Sequence, residues 1–214
     1  MVAIQKDNAL LASIDLFATD PDKQQELIEK LSNYVLSIIK SQPECASSSV
    51  NRSLDGEKVM CYLQWKTRQA YTDFMQLYNG YSGFDLLDSH VYEVVVSKPD
   101  DADLTIKPGR LLHLGEFRVL PENQPRLVAL EAEIPAISLQ HPDLLCVNFH
   151  RSLDETRTMN YGFWSTLEHF DKLLTEERFA PVRDYWRGLA ENEFHVYEVV
   201  SVFEGCEIVI HPSS

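Results

Sequence analysis

Hydrophobic and polar positions alternate between two periods along this chain. LLASIDLFA (residues 10–18) is a short apolar-rich run that reads as a strand. Asp20-Pro21 then offers an N-cap and a first-turn proline. Behind them Leu27, Ile28, Leu31, Tyr34, Val35, Ile38 and Ile39 recur on one helical face. SSSVNRS and EKVMCYLQW read as strands joined by Leu54-Asp55-Gly56-Glu57, an Asp-Gly hairpin signal. Thr67 can cap a second helix carrying Ala70, Tyr71, Phe74, Met75 and Tyr78. HVYEVVV is a further strand, and DLTI a short last one.

The same order then returns. Asn51–Thr67 (NRSLDGEKVMCYLQWKT) is echoed by His150–Thr166 (HRSLDETRTMNYGFWST), HVYEVV at His90 by HVYEVV at His195, and DLTIKP by EIVIHP. A period of about 100 residues exceeds a solenoid unit and matches a small domain. Two fused copies are expected, residues 8–108 and 110–212. The second runs LLHLGEFRV, a helix near Gln124–Leu139, CVNFHRSL, RTMNYGFW, a helical stretch, HVYEVVSVF and CEIVI. Pro135 should break its first helix by removing an internal hydrogen bond. Ser165 and Glu168 have the spacing of a capping box for its second.

The order β-α-β-β-α-β is that of the ferredoxin-like fold. The class is therefore α+β: two ferredoxin-like repeats, their sheets packed face to face as an intrachain α/β barrel. Met159, Tyr161 and Phe163 share one face of their strand and Trp164 lies on the other, so both faces should be buried.

Composition narrows the partners. With 214 residues and a formal charge of −14, the chain lacks the concentration of Lys and Arg that a nucleic-acid partner requires. No apolar run reaches the ~20 residues of a membrane span. The four cysteines (Cys45, Cys61, Cys146, Cys206) have neither CxxC nor metal-ligand spacing, so reduced thiols and a cytoplasmic location are the expectation.

The Trp65 and Trp164 strands, each followed by Thr and then an aromatic helix, together with the HVYEVV strand and a short final strand, resemble the antibiotic biosynthesis monooxygenase family. The resemblance implies a dimeric α/β barrel, here with both halves on one chain and a further homodimer possible. It also implies a small aromatic substrate, dioxygen, and neither cofactor nor metal. Cofactor-independent members that oxidise polyketides carry Asn-Tyr-x-x-Trp on the third strand. Asn160-Tyr161-Gly162-Phe163-Trp164 fits that stretch, whereas Cys61-Tyr62-Leu63-Gln64-Trp65 lacks the asparagine.

The residues add a physical contrast. Thr158, Asn160, Gly162 and Trp164 share a strand face, as do Val59, Cys61, Leu63 and Trp65. The first copy fills that face with apolar volume, while Gly162 should leave room beside an amide and an indole N–H. The second copy is thus the expected ligand site and the first its structural partner. Asn160 and Trp164 are candidates to stabilise an oxyanion, and His150, whose counterpart is Asn51, to accept a proton. Gly162, Thr158, Arg183 and Phe170 are the candidate substrate-binding residues. Each has a plainer reading: Trp164 as core filler like Trp65, Asn160 as a satisfied strand amide, His150 as a core histidine, Arg183 on an exposed helix face. Arg52 and Arg151 precede Asp55 and Asp154 by three residues and suggest hairpin ion pairs. Haem-degrading relatives pair an Asn on the first strand with a Trp and a His on the second helix. Here the helix positions hold Phe74, Leu173, Phe84 and Arg183, so that reading is poor. The remaining alternative is a non-catalytic barrel binding a small molecule or a protein.

Overall fold

The computed structural model describes Ala3, Ile4, Lys6 and residues 9–77 and 81–204. The first half contains β1 (Leu11–Ala18), α1 (Gln24–Ser41), β2 (Cys45–Ser53), β3 (Lys58–Trp65), α2 (Arg68–Leu77) and β4 (Leu86–Lys98). The second contains β5 (Leu111–Val119), α3 (Gln124–Glu131), α4 (Pro135–Ser138), β6 (Leu144–Ser152), β7 (Arg157–Trp164), α5 (Asp171–Thr175), a 3-10 turn at Glu177–Phe179, α6 (Ala180–Asp184) and β8 (Ala190–Glu204).

Each half pairs its strands in the ferredoxin-like order, β4-β1-β3-β2 and β8-β5-β7-β6. The long last strand of each half also reaches the other: β8 pairs with β2 and β4 with β6, both antiparallel. The sheets therefore join edge to edge as well as facing one another, and the result is a closed barrel without free edges. Period-2 alternation then separates two environments. Met60, Tyr62, Tyr92, Met159, Tyr161, Phe163 and Tyr197 fill the interior, while Val59, Cys61, Leu63, Trp65 and Trp164 lie under the helices.

The hairpin turn forms as expected, with Gly56 at φ +84°. A side chain there would both demand the left-handed region and strike Pro21. Several boundaries differ from expectation. α1 starts at Gln24, with Lys23 at the N-cap position and no side-chain cap; Asp20 instead binds the Lys23 ammonium at 2.6 Å. DLTI makes only an isolated bridge, Thr105 to Ala3, and the expected CEIVI strand lies outside the described residues. Ser165 and Glu168 form no capping box, because the Glu168 amide donates to Thr166 Oγ1 and the Ser165 amide to the Asp143 carbonyl.

The helical covers of the halves are unlike. α1 runs unbroken for 18 residues, whereas its counterpart stops at Glu131 and resumes at Pro135 as the single turn α4. α2 is one helix capped by Thr67 Oγ1, and its counterpart is three short pieces. The second sheet is consequently covered by a looser lid.

Candidate functional site

The antiparallel register places His113 of β5 opposite Gly162 of β7. Gly162 does leave room, but the His113 imidazole occupies it: a Cβ on Gly162 would lie 2.3 Å from His113 Cε1. Gly162 is thus a seat for a histidine rather than open space for a ligand. The Trp164 indole donates to His113 Nδ1 at 2.7 Å. An indole nitrogen can only donate, so Nδ1 must accept and the neutral ring carries its proton on Nε2. Burial pushes His113 down to about 4, with the Asn160 side chain opposing that shift. The ring therefore stays neutral at ordinary pH and presents a fixed N–H donor. Phe194 stacks against it at 5.7 Å.

Beyond His113 lies a chamber of about 580 Å³ between the sheet and the fragmented helices. His113, Gly115, Phe117, Asn160 and Phe194 form its sheet side, and Leu173, Val182, Arg183, Tyr185 and Trp186 its helix side. The Asn160 carboxamide also lies there, beside the His113 side chain that it steadies. An apolar and aromatic wall carrying a few polar groups, His113, Asn160 and Asn192 on the sheet side and Arg183, Asp184 and Arg187 on the helix side, is the form of a small-molecule site.

Among the described residues, side chains fill the matching face of the first half. Ser13 and Leu63 stand where His113 and Gly162 do, and Asp15 and Cys61 where Gly115 and Asn160 do. Trp65 donates to Ser13 Oγ at 3.1 Å and stacks on Phe74 at 5.4 Å. Asp15 is fully buried, accepting from Ser13, Tyr81 and Ser89, and burial raises it to about 6. Its three donors satisfy it.

The structure brings only some of the expected site residues together. Asn160 and Arg183 line the chamber, and Gly162 lies beneath its histidine. Arg183 is anchored through the Leu174 and Glu176 carbonyls. Trp164 does not face the chamber: its N–H is committed to His113 and its rings pack against Phe170 at 4.7 Å and His141 at 5.1 Å. Phe170 serves Trp164 in that contact. Thr158 is buried and donates to Glu131 at 2.5 Å. His150 is separated from them all. It pairs in register with Met159, faces the barrel interior, and lies 3.1 Å from the Tyr62 hydroxyl through Nε2. Burial lowers it to about 4. Strand alternation is the reason: His150 and Asn160 occupy opposite faces of adjacent strands.

Arg52 and Arg151 bind Glu198 and Glu93 on the partner half's long strand rather than their hairpin aspartates. Asp55 and Asp154 instead take His195 and His90. Asp55, Glu57 and His195 bring three possible metal ligands within 4.8 Å, but none lines the chamber and Glu193 also holds His195. His113, Glu131 and Tyr185 were missed by reasoning on β7 alone. Setting β1 beside β5 exposes the first: Leu63 with Ser13 becomes Gly162 with His113, a compensated exchange of volume.

Residues 12–77, within the first half, match the family described as antibiotic biosynthesis monooxygenase. Tetracenomycin-F1 monooxygenase of Streptomyces glaucescens is 31% identical over 71 residues, which are 33% of this chain and 63% of that protein. The chain thus spans less than two thirds of that curated relative's length. A protein described as anthrone oxidase-like superposes with a TM-score of 0.82 at 19% identity, over 96% of this chain and 98% of its own. A monooxygenase-like protein of Fusobacterium nucleatum does so with 0.61 at 10% identity, over 95% and 96%. These superpositions show the shared fold, and with the family match they show that the chain resembles the antibiotic biosynthesis monooxygenases.

Proposed function

We propose that this chain, a tandem barrel resembling the antibiotic biosynthesis monooxygenases, oxidises a phenolic or quinol-type polycyclic aromatic with dioxygen in the chamber of its second half. The first half is its scaffold. The observation that carries the reading is the paired exchange around one tryptophan: Ser13, Asp15, Cys61 and Leu63 in the packed half become His113, Gly115, Asn160 and Gly162 in the hollow one. A volume of about 580 Å³ suits a fused aromatic ring system.

An electron-rich phenolate can reduce dioxygen directly. Radical recombination gives a peroxide, and for an anthrone-type methylene the balance is CH₂ + O₂ → C=O + H₂O. The protein's part is to exclude water, hold the ring and stabilise oxyanions. His113 presents Nε2–H and Asn160 an amide, fixed before the reaction begins. Trp164 acts through His113 as a positioning residue, and Arg183 adds a cation at the wall.

The test is oxygen uptake with a panel of anthrones and hydroquinones, with and without chelator or added flavin. Uptake that neither additive changes, and that Asn160→Ala or His113→Ala abolishes, supports the reading. No uptake across the panel, with aromatic ligands still bound, would leave a binding barrel.

A further inference from the structure

The chamber does not end at its own walls. Phe194 and Leu174, which line it, also line a surface groove of about 690 Å³ shared with Leu54, Leu167 and Phe170. Leu54, Leu174 and Phe194 are 48, 54 and 41% exposed, and they make up three of the six large apolar side chains exposed among the described residues. Exposed apolar groups gathered in this way mark a binding surface.

The first half shows that the fold does not demand it. Phe194 pairs with Gly115 where Ser89 pairs with Asp15, and Phe170 packs on Trp164 where Tyr71 packs on Trp65. In the first half the Tyr71 and Ser89 hydroxyls are joined at 3.0 Å, and Ser89 in turn donates to Asp15. In the second the same two places hold phenyl rings 5.6 Å apart, and Phe194 stacks on His113. Beside them Leu167 follows Thr166 as Arg68 follows Thr67. Three polar side chains of one half are therefore apolar in the other, at one place on the surface, where water favours the polar set.

Charge divides the two volumes. Arg183 and Arg187 stand at the chamber, with Asp184 bound to Arg187 at 2.9 Å. The groove carries Asp55, Glu168 and Asp171 and no lining Lys or Arg, and its His195 is already held by Asp55 and Glu193. We propose that the groove is a second subsite for the substrate. It takes an aromatic ring that extends from the phenol in the chamber and ends in an uncharged or cationic group. Continuity through Phe194 and Leu174 favours one elongated ligand lying across both volumes. The subsite deepens the monooxygenase reading and rests on it for the phenol in the chamber.

Binding to the full chain is measured by fluorescence without oxygen, using 2-naphthol and 6-phenyl-2-naphthol, and oxygen uptake is followed separately. The longer phenol should bind roughly tenfold more tightly. L167R, which carries the first half's residue, should remove most of that advantage. In the wild type, where folding is not in question, a para-aminomethyl group on the added ring should bind roughly tenfold more tightly than a para-carboxylate. E168Q combined with D171N should shrink that difference. Equal affinities for the short and long phenols, or an advantage that neither L167R nor the carboxylate reduces, overturn the proposal while the chamber reading stands. L167R splitting a dimer in sedimentation, with the advantage intact, would make the groove a contact between copies and also overturn it. The expected affinities without any oxygen uptake would sink the monooxygenase reading and leave the subsite standing.

Discussion

The two halves keep different things in common. Several of the ties that join the halves are duplicated, although the buried Lys58–Glu116 pair is not, since Leu16 stands at the place of Glu116 in the first half. Gln24 and Gln124 tie their helices to the hairpins, and Arg52–Glu198 and Arg151–Glu93 clamp each hairpin strand to the other half. His195–Asp55 and His90–Asp154 repeat across the same seams. Between sheet and helices the halves part: the first holds Leu31, Val59, Cys61 and Leu63, and the second Glu131, Thr158, Asn160 and Gly162. Closure constrains both copies because neither half closes without the other, whereas one helical cover was free to open.

Transplanting the packed solution into the hollow half is the severest way to break this comparison. Gly162→Leu alone drives side-chain atoms into His113, whose ring already lies within contact of a bare Cβ. It should cost about 1–3 kcal/mol and abolish oxygen uptake. Adding His113→Ser restores the first half's pair, so denaturation should return toward wild type while uptake stays roughly 10²–10³-fold down. Recovery of activity with stability would mean that the chamber is not where oxidation occurs. Asn160→Cys sharpens the same point more gently. The carboxamide bonds the His113 side chain, so stability should fall by about 1 kcal/mol, while uptake falls about 10²-fold.

Glu131→Leu turns the comparison toward stability. In the folded chain Glu131 ionises near 8, above its ordinary 4.5. Between those values the unfolded chain has released its proton and the folded chain has not, so stability falls as pH rises through the window. Leucine should therefore stabilise by about 1–4 kcal/mol at pH 8 and much less near pH 4. Urea denaturation at the two pH values reads the difference, and a gain equal at both would remove the carboxyl as its source.

Much of this was legible in the sequence. The repeat and the 2.0 and 3.6 periodicities carry the strands, the hairpin and the break at Pro135, because those depend on neighbours in the chain. Asn160 is placed in the chamber by its strand phase alone. The direction of His150 was not legible, because it depends on the register between β6 and β7, which sets His150 opposite Met159 and so on the interior face. The bond that takes up the Trp164 indole is hidden for a similar reason: its partner lies 51 residues away on β5. Glu131 was hidden by an apolar periodicity that tolerates one carboxyl on its buried face.

The two tryptophans make the finest test. Each donates its indole N–H to the first strand of its half, Trp65 to a serine that also binds Asp15, Trp164 to a histidine at a chamber wall. Trp164→Phe removes the donor that holds His113 in one tautomer. Its Nδ1 then becomes free to take a proton, so His113 should titrate higher than about 4, measurable by its ring resonances. Uptake should fall about tenfold, most at low pH, where the ring would gain charge and lose its fixed role. Trp65→Phe leaves Ser13 bonded to Asp15 and should change stability by about 1 kcal/mol without altering turnover. Equal losses of turnover from both substitutions would erase the distinction between scaffold and site on which the assignment depends.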